Sequence, residues 1–304
     1  MLPAAVAVIL AQAGGAWASG RPPECTEAFG RAANVWERAK SPELGRYCDL
    51  VASAASKLAG AASAAEGALA AAREAEGLLP GHAAPKALEG RALVALGRID
   101  DAQRALAEAN ARSERALDDP LSLLAWARVL ARTGQRDRAA EAYRALLPRA
   151  SALSGGERAT AAAEAGLLLL SLGPAAIDGS VAALREAMRD AQDDTEGLAV
   201  LGLATALDRA GAGDEARALL ADRAPADPRA SLRSAGAREV LAVAPAEAAA
   251  LVAMGLEATD PAGARAAWEE YLAQAPIAPW AAHARAHAAH AAKLGPRSSA
   301  RSGR

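Results

Sequence analysis

The chain has 304 residues, of which 52% are apolar but only 3% aromatic; alanine supplies most of the apolar share and Phe29 is the single phenylalanine. A compact core of large side chains is hard to build from this set, whereas thin layers of α-helix need little volume per residue, and alanine is the best helix former while strand-favouring aromatics are scarce. The net charge is −2 with acids and bases interspersed, which excludes a broad field for nucleic acid or a membrane surface.

The 34 basic residues include only four lysines (Lys40, Lys57, Lys86 and Lys293), an Ala/Arg/Gly bias that fits a GC-rich bacterial genome. Part of the arginine content is therefore codon pressure. At the N-terminus, Pro3 to Ala11 reads as the apolar stretch of an export signal, and Ala16-Trp17-Ala18 fits the small-x-small cleavage rule. Cleavage after Ala18 would release a chain beginning at Ser19 into the periplasm or cell envelope. No Lys or Arg precedes the apolar stretch, so a short helical or unstructured N-terminus is the competing reading. A spanning helix needs roughly 20 apolar residues, and the mature chain offers no such segment. Arg21-Pro22-Pro23-Glu24, ahead of Cys25, are not the small apolar residues of a lipoprotein signal.

Cys25 and Cys48 both fall in the mature chain, and an even pair in an exported protein suggests a disulfide. Helices over 26–40 and 43–60 would hold the two apart, so the bond requires residues 22–30 to fold back. Residues 49–82 read as a degenerate helix pair ending at Pro80.

Internal repetition follows. Four octapeptides share the pattern small-x-x-Leu-x-x-x-Gly: Gly90, Leu93 and Gly97; Ala127, Leu130 and Gly134; Gly166, Leu169 and Gly173; Ala204, Leu207 and Gly211. Their closing glycines are spaced 37, 39 and 38 residues apart. The small residue admits a neighbouring helix, the leucine fills the layer from the same face, and the glycine ends the helix in the left-handed conformation. Five residues after the glycine stands a second small residue, Ala102, Ala139 or Ala216, and four further on a packing residue, Leu106, Tyr143 or Leu220. Pro120, Pro228 and Pro276 punctuate the units. A fifth unit uses Ala253 and Leu256, then Asp260-Pro261 in place of the glycine, then Ala264, Trp268 and Leu272.

This pattern over about 85–294 resembles the tetratricopeptide repeat (TPR), a helix–turn–helix of about 34 residues with small residues in both helices. The resemblance implies an all-α solenoid of stacked antiparallel helix pairs in a right-handed superhelix. Together with the export signal read over 1–18, this divides the chain into an N-terminal helical region over 19–84 with a degenerate repeat and the repeat array over 85–278. A capping helix would cover 279–294 and a disordered tail 295–304. Residues 231–244 add a helix the strict period does not require.

The resemblance also implies that the inner helices line a concave groove for partner proteins. The groove positions would be Arg91, Arg128, Arg132, Thr205, Asp208 and Arg209, with Arg91, Arg128 and Arg132 forming a basic strip. Arginine forks suit an acidic segment or a C-terminal carboxylate, although the same arginines could be solvated or paired with acids on their own surface. The Lys/Asn set of the carboxylate-clamp members is not reproduced.

His283, His287 and His290 share one helical face, and two imidazoles so spaced can reach one metal. No acid accompanies them within that helix and no His-Glu-x-x-His motif is present, so an exposed polar face is the plainer reading and no metal or other cofactor is expected. Ser154-Gly155-Gly156-Glu157 lacks the Lys-Ser/Thr of a phosphate loop and reads as a turn before a helix. Asp118-Asp119-Pro120 and Asp193-Asp194 read as helix N-terminal acids. No catalytic residue and no small-molecule substrate is expected. The function expected is a non-catalytic scaffold binding other proteins, with a metal-handling protein or enzyme using the histidine face, or a structural spacer, as alternatives.

Overall fold

A computed structural model describes residues 22–28, 42–59, 62–191 and 193–294. The expected signal segment, the tail from 295 and most of the expected helix over 26–40 lie outside them. Among the described residues there are 16 α-helices and no strand. The fold is all-α, with successive helices packed as pairs. The chain divides into two compact units, Met1–Ser122 and Leu123–Arg304, so the division falls inside the expected array.

The first unit contains α1 (Pro23–Ala28), α2 (Pro42–Leu58), α3 (Ala65–Leu78), α4 (Ala83–Ala95) and α5 (Ile99–Arg112). Each helix from α2 onward packs on the next. The helix of α1 is only six residues long, and it lies back on α2. Cys25 and Cys48 are bonded with their Cα atoms 5.7 Å apart. Cys25 is buried with Tyr47, Val51 and Ala54 of α2, Ala71, Ala72 and Ala75 of α3, and Ala84 and Leu88 of α4. The Tyr47 hydroxyl donates to Glu24 Oε1 at 2.6 Å, so a second short link holds α1 beside the disulfide. Arg112 of α5 is tied in near the same place, donating to both carboxylate oxygens of Glu76 at 2.7 and 2.8 Å and to the carbonyl of His82, whose ring lies 5.3 Å from that of Tyr47.

The second unit contains α6 (Pro120–Arg132, whose first turn precedes the division), α7 (Arg136–Leu146), α8 (Gly155–Leu172), α9 (Ile177–Asp190), α10 (Asp193–Arg209) and α11 (Gly213–Arg223). There follow α12 (Pro228–Ser231), α13 (Ala235–Leu241), α14 (Glu247–Leu256), α15 (Pro261–Ala273) and α16 (Ala278–Leu294). Caps set many of the starts. Ser154 and Glu157 form a reciprocal capping box at α8, and Asp227, Ser234 and Asp260 each accept a backbone N–H at α12, α13 and α15. Ser154 to Glu157 is thus a helix-starting turn. Asp119 likewise accepts the Ser122 N–H at 2.9 Å, starting α6.

The octapeptides translate directly into geometry. Gly97, Gly134 and Gly211 have φ of 73°, 78° and 84°. In each case the residue after the glycine returns its N–H to the carbonyl of the pattern's leucine: Arg98 to Leu93 at 2.9 Å, Gln135 to Leu130 at 2.9 Å, Ala212 to Leu207 at 2.8 Å. This is the Schellman closure, which satisfies carbonyls the helix end would otherwise orphan. Gly173 differs, with φ 116° and ψ −172°, and leads into a 3-10 turn over Pro174–Ala176. That insertion moves the small residue of the returning helix to Ser180, whose hydroxyl donates to the Gly166 carbonyl at 2.8 Å, and the packing residue to Leu184. Ala102, Ala127, Ala139, Ala204 and Ala216 are fully buried, as are Leu106 and Tyr143, whereas Leu220 is only half-buried. In the fifth unit Tyr271, not Leu272, takes the buried place behind Trp268.

Two inner helices are enclosed on nearly every side. Leu167, Leu168, Leu169 and Leu170 of α8 are all buried, a run with no polar face, as befits a helix surrounded by protein. The enclosure comes from the chain's own return. α13, through Ala237, Val240 and Leu241, packs on α8 and α10, and α14 packs on α10. α16 packs on α15 and sends Trp280 across to donate its Nε1–H to the Leu170 carbonyl at 2.8 Å.

The close approach of α8 and α9 rests on Gly166. A Cβ there would stand 2.4 Å from Leu184 Cγ, whereas one at Gly77 in α3 would meet nothing within 4 Å. Gly166→Val is therefore expected to lower the unfolding free energy by about 1–3 kcal/mol through overpacking. Gly77→Ala should raise it by roughly 0.5–1 kcal/mol through helix propensity. Chemical denaturation of both variants checks the pair; equal effects would remove the close-approach role of Gly166.

Candidate functional site

The inner face of the second unit carries two buried polar clusters on helices that are otherwise apolar. In the first, Glu164 stands fully buried in the middle of the alanine and leucine run of α8. Arg128 of α6 donates through Nε to both of its carboxylate oxygens at 2.9 and 3.0 Å, and the Tyr143 hydroxyl of α7 donates to Oε2 at 3.0 Å. Glu239 of α13 adds a second carboxylate 3.3 Å from Arg128 Nη1. Burial raises the Glu164 carboxyl above its ordinary value against the opposing pull of Arg128 and Tyr143. Burial works against the charged Arg128, yet Glu164 holds it more firmly protonated than a free guanidinium.

The second cluster is built on the last turn of α10. Arg209 is wholly buried, 2.8 Å from Glu247 Oε2 of α14. It donates to the Tyr271 hydroxyl at 3.0 Å, and that hydroxyl donates to Glu247 Oε1 at 3.3 Å. The guanidinium lies over the rings of Trp280 and Tyr271, 4.8 and 5.3 Å from their centroids. One residue earlier, Asp208 Oδ2 lies 2.8 Å from His283 Nε2 and 3.0 Å from His287 Nε2, both on α16. His287 Nδ1 faces Glu257 Oε1 at 2.6 Å, and the same oxygen accepts the Trp268 Nε1–H at 2.8 Å. Burial opposes a charge on His287, but Asp208 and Glu257 outweigh it and raise the imidazole up to about 9. Burial likewise pushes the Asp208 carboxyl up, and the two imidazoles more than reverse this, holding it well below the usual carboxylate range.

Of the expected groove residues, Arg128, Asp208 and Arg209 fall into these clusters, and two arginines of the expected basic strip, Arg91 and Arg128, pair with acids of the chain itself. Arg91 is paired with Asp119 at 3.2 Å. Arg128 is spent on Glu164 and Glu239, and Arg209 on Glu247 and Tyr271. Thr205 is fully buried and returns its hydroxyl to the Leu201 carbonyl at 2.8 Å. Asp208 faces the two histidines. Arg132 has a buried Nε without a hydrogen-bond partner among the described residues. Asp208 and Arg209 on α10 are turned towards protein because α14, α15 and α16 return over that helix. The expected histidine face also divides: His283 and His287 point at Asp208, while His290 is exposed and apart from them. The acid absent from their own helix is supplied by α10.

Sequence reasoning missed Glu164, Glu247 and Glu257. The signal was a lone glutamate inside an alanine and leucine run, since a charge buried on an apolar helix requires a partner. Elsewhere on the second unit, α7, the 3-10 turn Leu147–Ala152, α8 and α9 border a mainly apolar cleft of about 840 Å³, with Pro148, Leu169 and Ala182 in its wall and Arg144 and Arg189 beside it. Among the described residues, no helix is long and apolar enough to cross a membrane.

The helix pairs, their shared glycine closure and the small-residue contacts define an all-α, TPR-like protein. No family model matches the chain, and no curated protein matches it. Among solved structures it is similar to a thermophilic TPR protein of Thermus thermophilus, at 20% identity over 70% of this chain and 100% of that one, with a TM-score of 0.35. It is also similar to the APC/C hetero-tetramer Cut9–Hcn1, at 16% identity over 72% of this chain and 45% of that one, with a TM-score of 0.36. Overlaps of this size transfer no residue and no partner to this chain.

Breaking one side of a buried ion pair strands the other, whereas replacing both by apolar groups is often nearly neutral. Glu164→Leu and Arg128→Met are each expected to cost about 3–5 kcal/mol, and the double variant clearly less than their sum, with a coupling of roughly 2 kcal/mol or more. A double-mutant cycle by denaturant unfolding measures this; strictly additive losses would show that the two side chains do not act as a unit.

Proposed function

We infer that the chain is a non-catalytic scaffold that binds other proteins in the bacterial cell envelope. The observation that carries the reading is the repeated hairpin itself: the same leucine–glycine closure at Gly97, Gly134 and Gly211 builds successive helix surfaces of one design. A stack of this kind presents area for a partner, where an enzyme concentrates reactive groups in a pocket. Export is supported by the Cys25–Cys48 disulfide, which persists in oxidising compartments, together with the apolar stretch over Pro3 to Ala11.

Because the inner faces of α8 and α10 are covered by the chain's own return, the partner surface lies on the returning helices. The apolar cleft between α7 and α9, edged by Arg144, suits an extended apolar segment carrying an acid. Capture from envelope extracts with the full chain, compared with an Arg144→Glu/Ala182→Arg variant, tests this. Both positions are exposed, so helicity should be unchanged while capture falls at least tenfold. Equal capture by the variant would remove the cleft, and no capture by either would favour a structural spacer. Mass spectrometry of chain expressed with its native N-terminus should find a periplasmic form beginning at Ser19 with Cys25 and Cys48 linked. A full-length cytosolic form with free thiols would overturn export.

A further inference from the structure

We propose that Asp208 Oδ2, His283 Nε2 and His287 Nε2 form a binding site for one divalent transition-metal ion of the zinc class, joining α10 to α16. The three atoms lie within 4.8 Å of one another, with the carboxylate oxygen 2.8 and 3.0 Å from the two nitrogens. Ligand atoms bound at about 2.0–2.1 Å to one zinc ion stand roughly 3 Å apart, so only small shifts would bring the trio into coordination. The two rings come from successive turns of one helix, their centroids 4.4 Å apart and their planes inclined by 33°, so both nitrogens address the same point.

The surroundings support a metal over a pair of ordinary hydrogen bonds. Asp208 Oδ2 is buried and makes no aligned hydrogen bond, although two imidazole nitrogens lie within 3.0 Å of it. The two ring nitrogens of His287 each face a carboxylate, Nε2 towards Asp208 at 3.0 Å and Nδ1 towards Glu257 at 2.6 Å, so a metal ion taken up at Nε2 would displace the proton there while Glu257 keeps the Nδ1–H. Glu257 is itself fixed by Trp268, which gives the carboxylate–histidine–metal relay that orients a ligating imidazole. His283 lacks such support, since its Nδ1 is buried without a partner among the described residues. The ligands are half-buried rather than sealed, with side-chain exposures of 13%, 22% and 20% for Asp208, His283 and His287, so an ion can enter and a water can complete the coordination. Two imidazoles and one carboxylate suit zinc, cobalt or nickel rather than calcium or magnesium.

The experiment uses the full chain stripped of metal with a chelator, then titrated with Zn²⁺ by calorimetry and with Co²⁺ by visible absorption. Binding should saturate at one equivalent, and Co²⁺ should develop the d–d bands of a low-symmetry nitrogen and oxygen site. His287→Ala and the isosteric Asp208→Asn should weaken binding at least tenfold, Glu257→Gln by roughly 10–100-fold as an orienting partner, and His290→Ala not at all. The wild-type Co²⁺ spectrum does not depend on any variant folding. Absence of saturable binding, or the same affinity in His287→Ala and Asp208→Asn as in wild type, would overturn the site, as would loss of binding in His290→Ala.

Discussion

Everything on the inner side of the second unit depends on two adjacent charges, Asp208 and Arg209, carried by a helix that protein surrounds. Taking a charge out of water costs several kcal/mol unless partners of opposite sign are in place. The partners arrive from three later helices: Glu247 on α14, Tyr271 on α15, and Trp280, His283 and His287 on α16. The return of the chain is therefore specified electrostatically as well as by apolar burial. Glu239 does the same for α13, which meets Arg128 beside the buried Glu164. Sliding any of these helices by one turn would leave an ion unmatched, which gives a register to surfaces that alanine alone would specify poorly.

The repeat was legible because its physics is local. A small residue, a leucine three positions on and a glycine four beyond that determine a helix face and its ending within eight residues, and three of the four glycines adopt the left-handed conformation the pattern requires. The third resisted because Pro174 to Ala176 form an extra 3-10 turn, which shifts the returning helix so that Ser180 and Leu184 take roles no fixed spacing would assign. The disulfide was ambiguous for a similar reason. Spacing alone could not decide whether α1 stops at Ala28 and lies against Tyr47 and Val51 of α2.

The site was legible only in part, because its chemistry is non-local. On the turn of α10 that carries three of the expected groove residues, Asp208 and Arg209 face the chain's own C-terminal helices, while Thr205 returns its hydroxyl to the Leu201 carbonyl. Nothing near position 208 in sequence announces that His283 and His287 lie opposite. The same holds for Arg209 and Glu247, 38 positions apart, and for Trp280 and Leu170, whose contact spans 110 residues. Of the three histidines that share a face of the cap helix, His283 and His287 meet a carboxylate, Asp208, on another helix, while His290 is exposed.

The cover over α8 and α10 bears on where a scaffold of this design can work. A peptide laid along those helices would have to displace α13 or α16, separating Arg209 from its cover and stranding Glu164, each a loss of several kcal/mol that a short segment's contacts would have to exceed. The returning helices carry no such obligation. On α11 only Ala216 is buried, and Arg185 of α9 reaches Glu215 of α11 across exposed surface where pairing contributes little to stability. Those charges are free to exchange partners. Recognition there would draw on the alternating arginines and acids of the outer surface together with the apolar cleft between α7 and α9, and it would weaken as salt is raised.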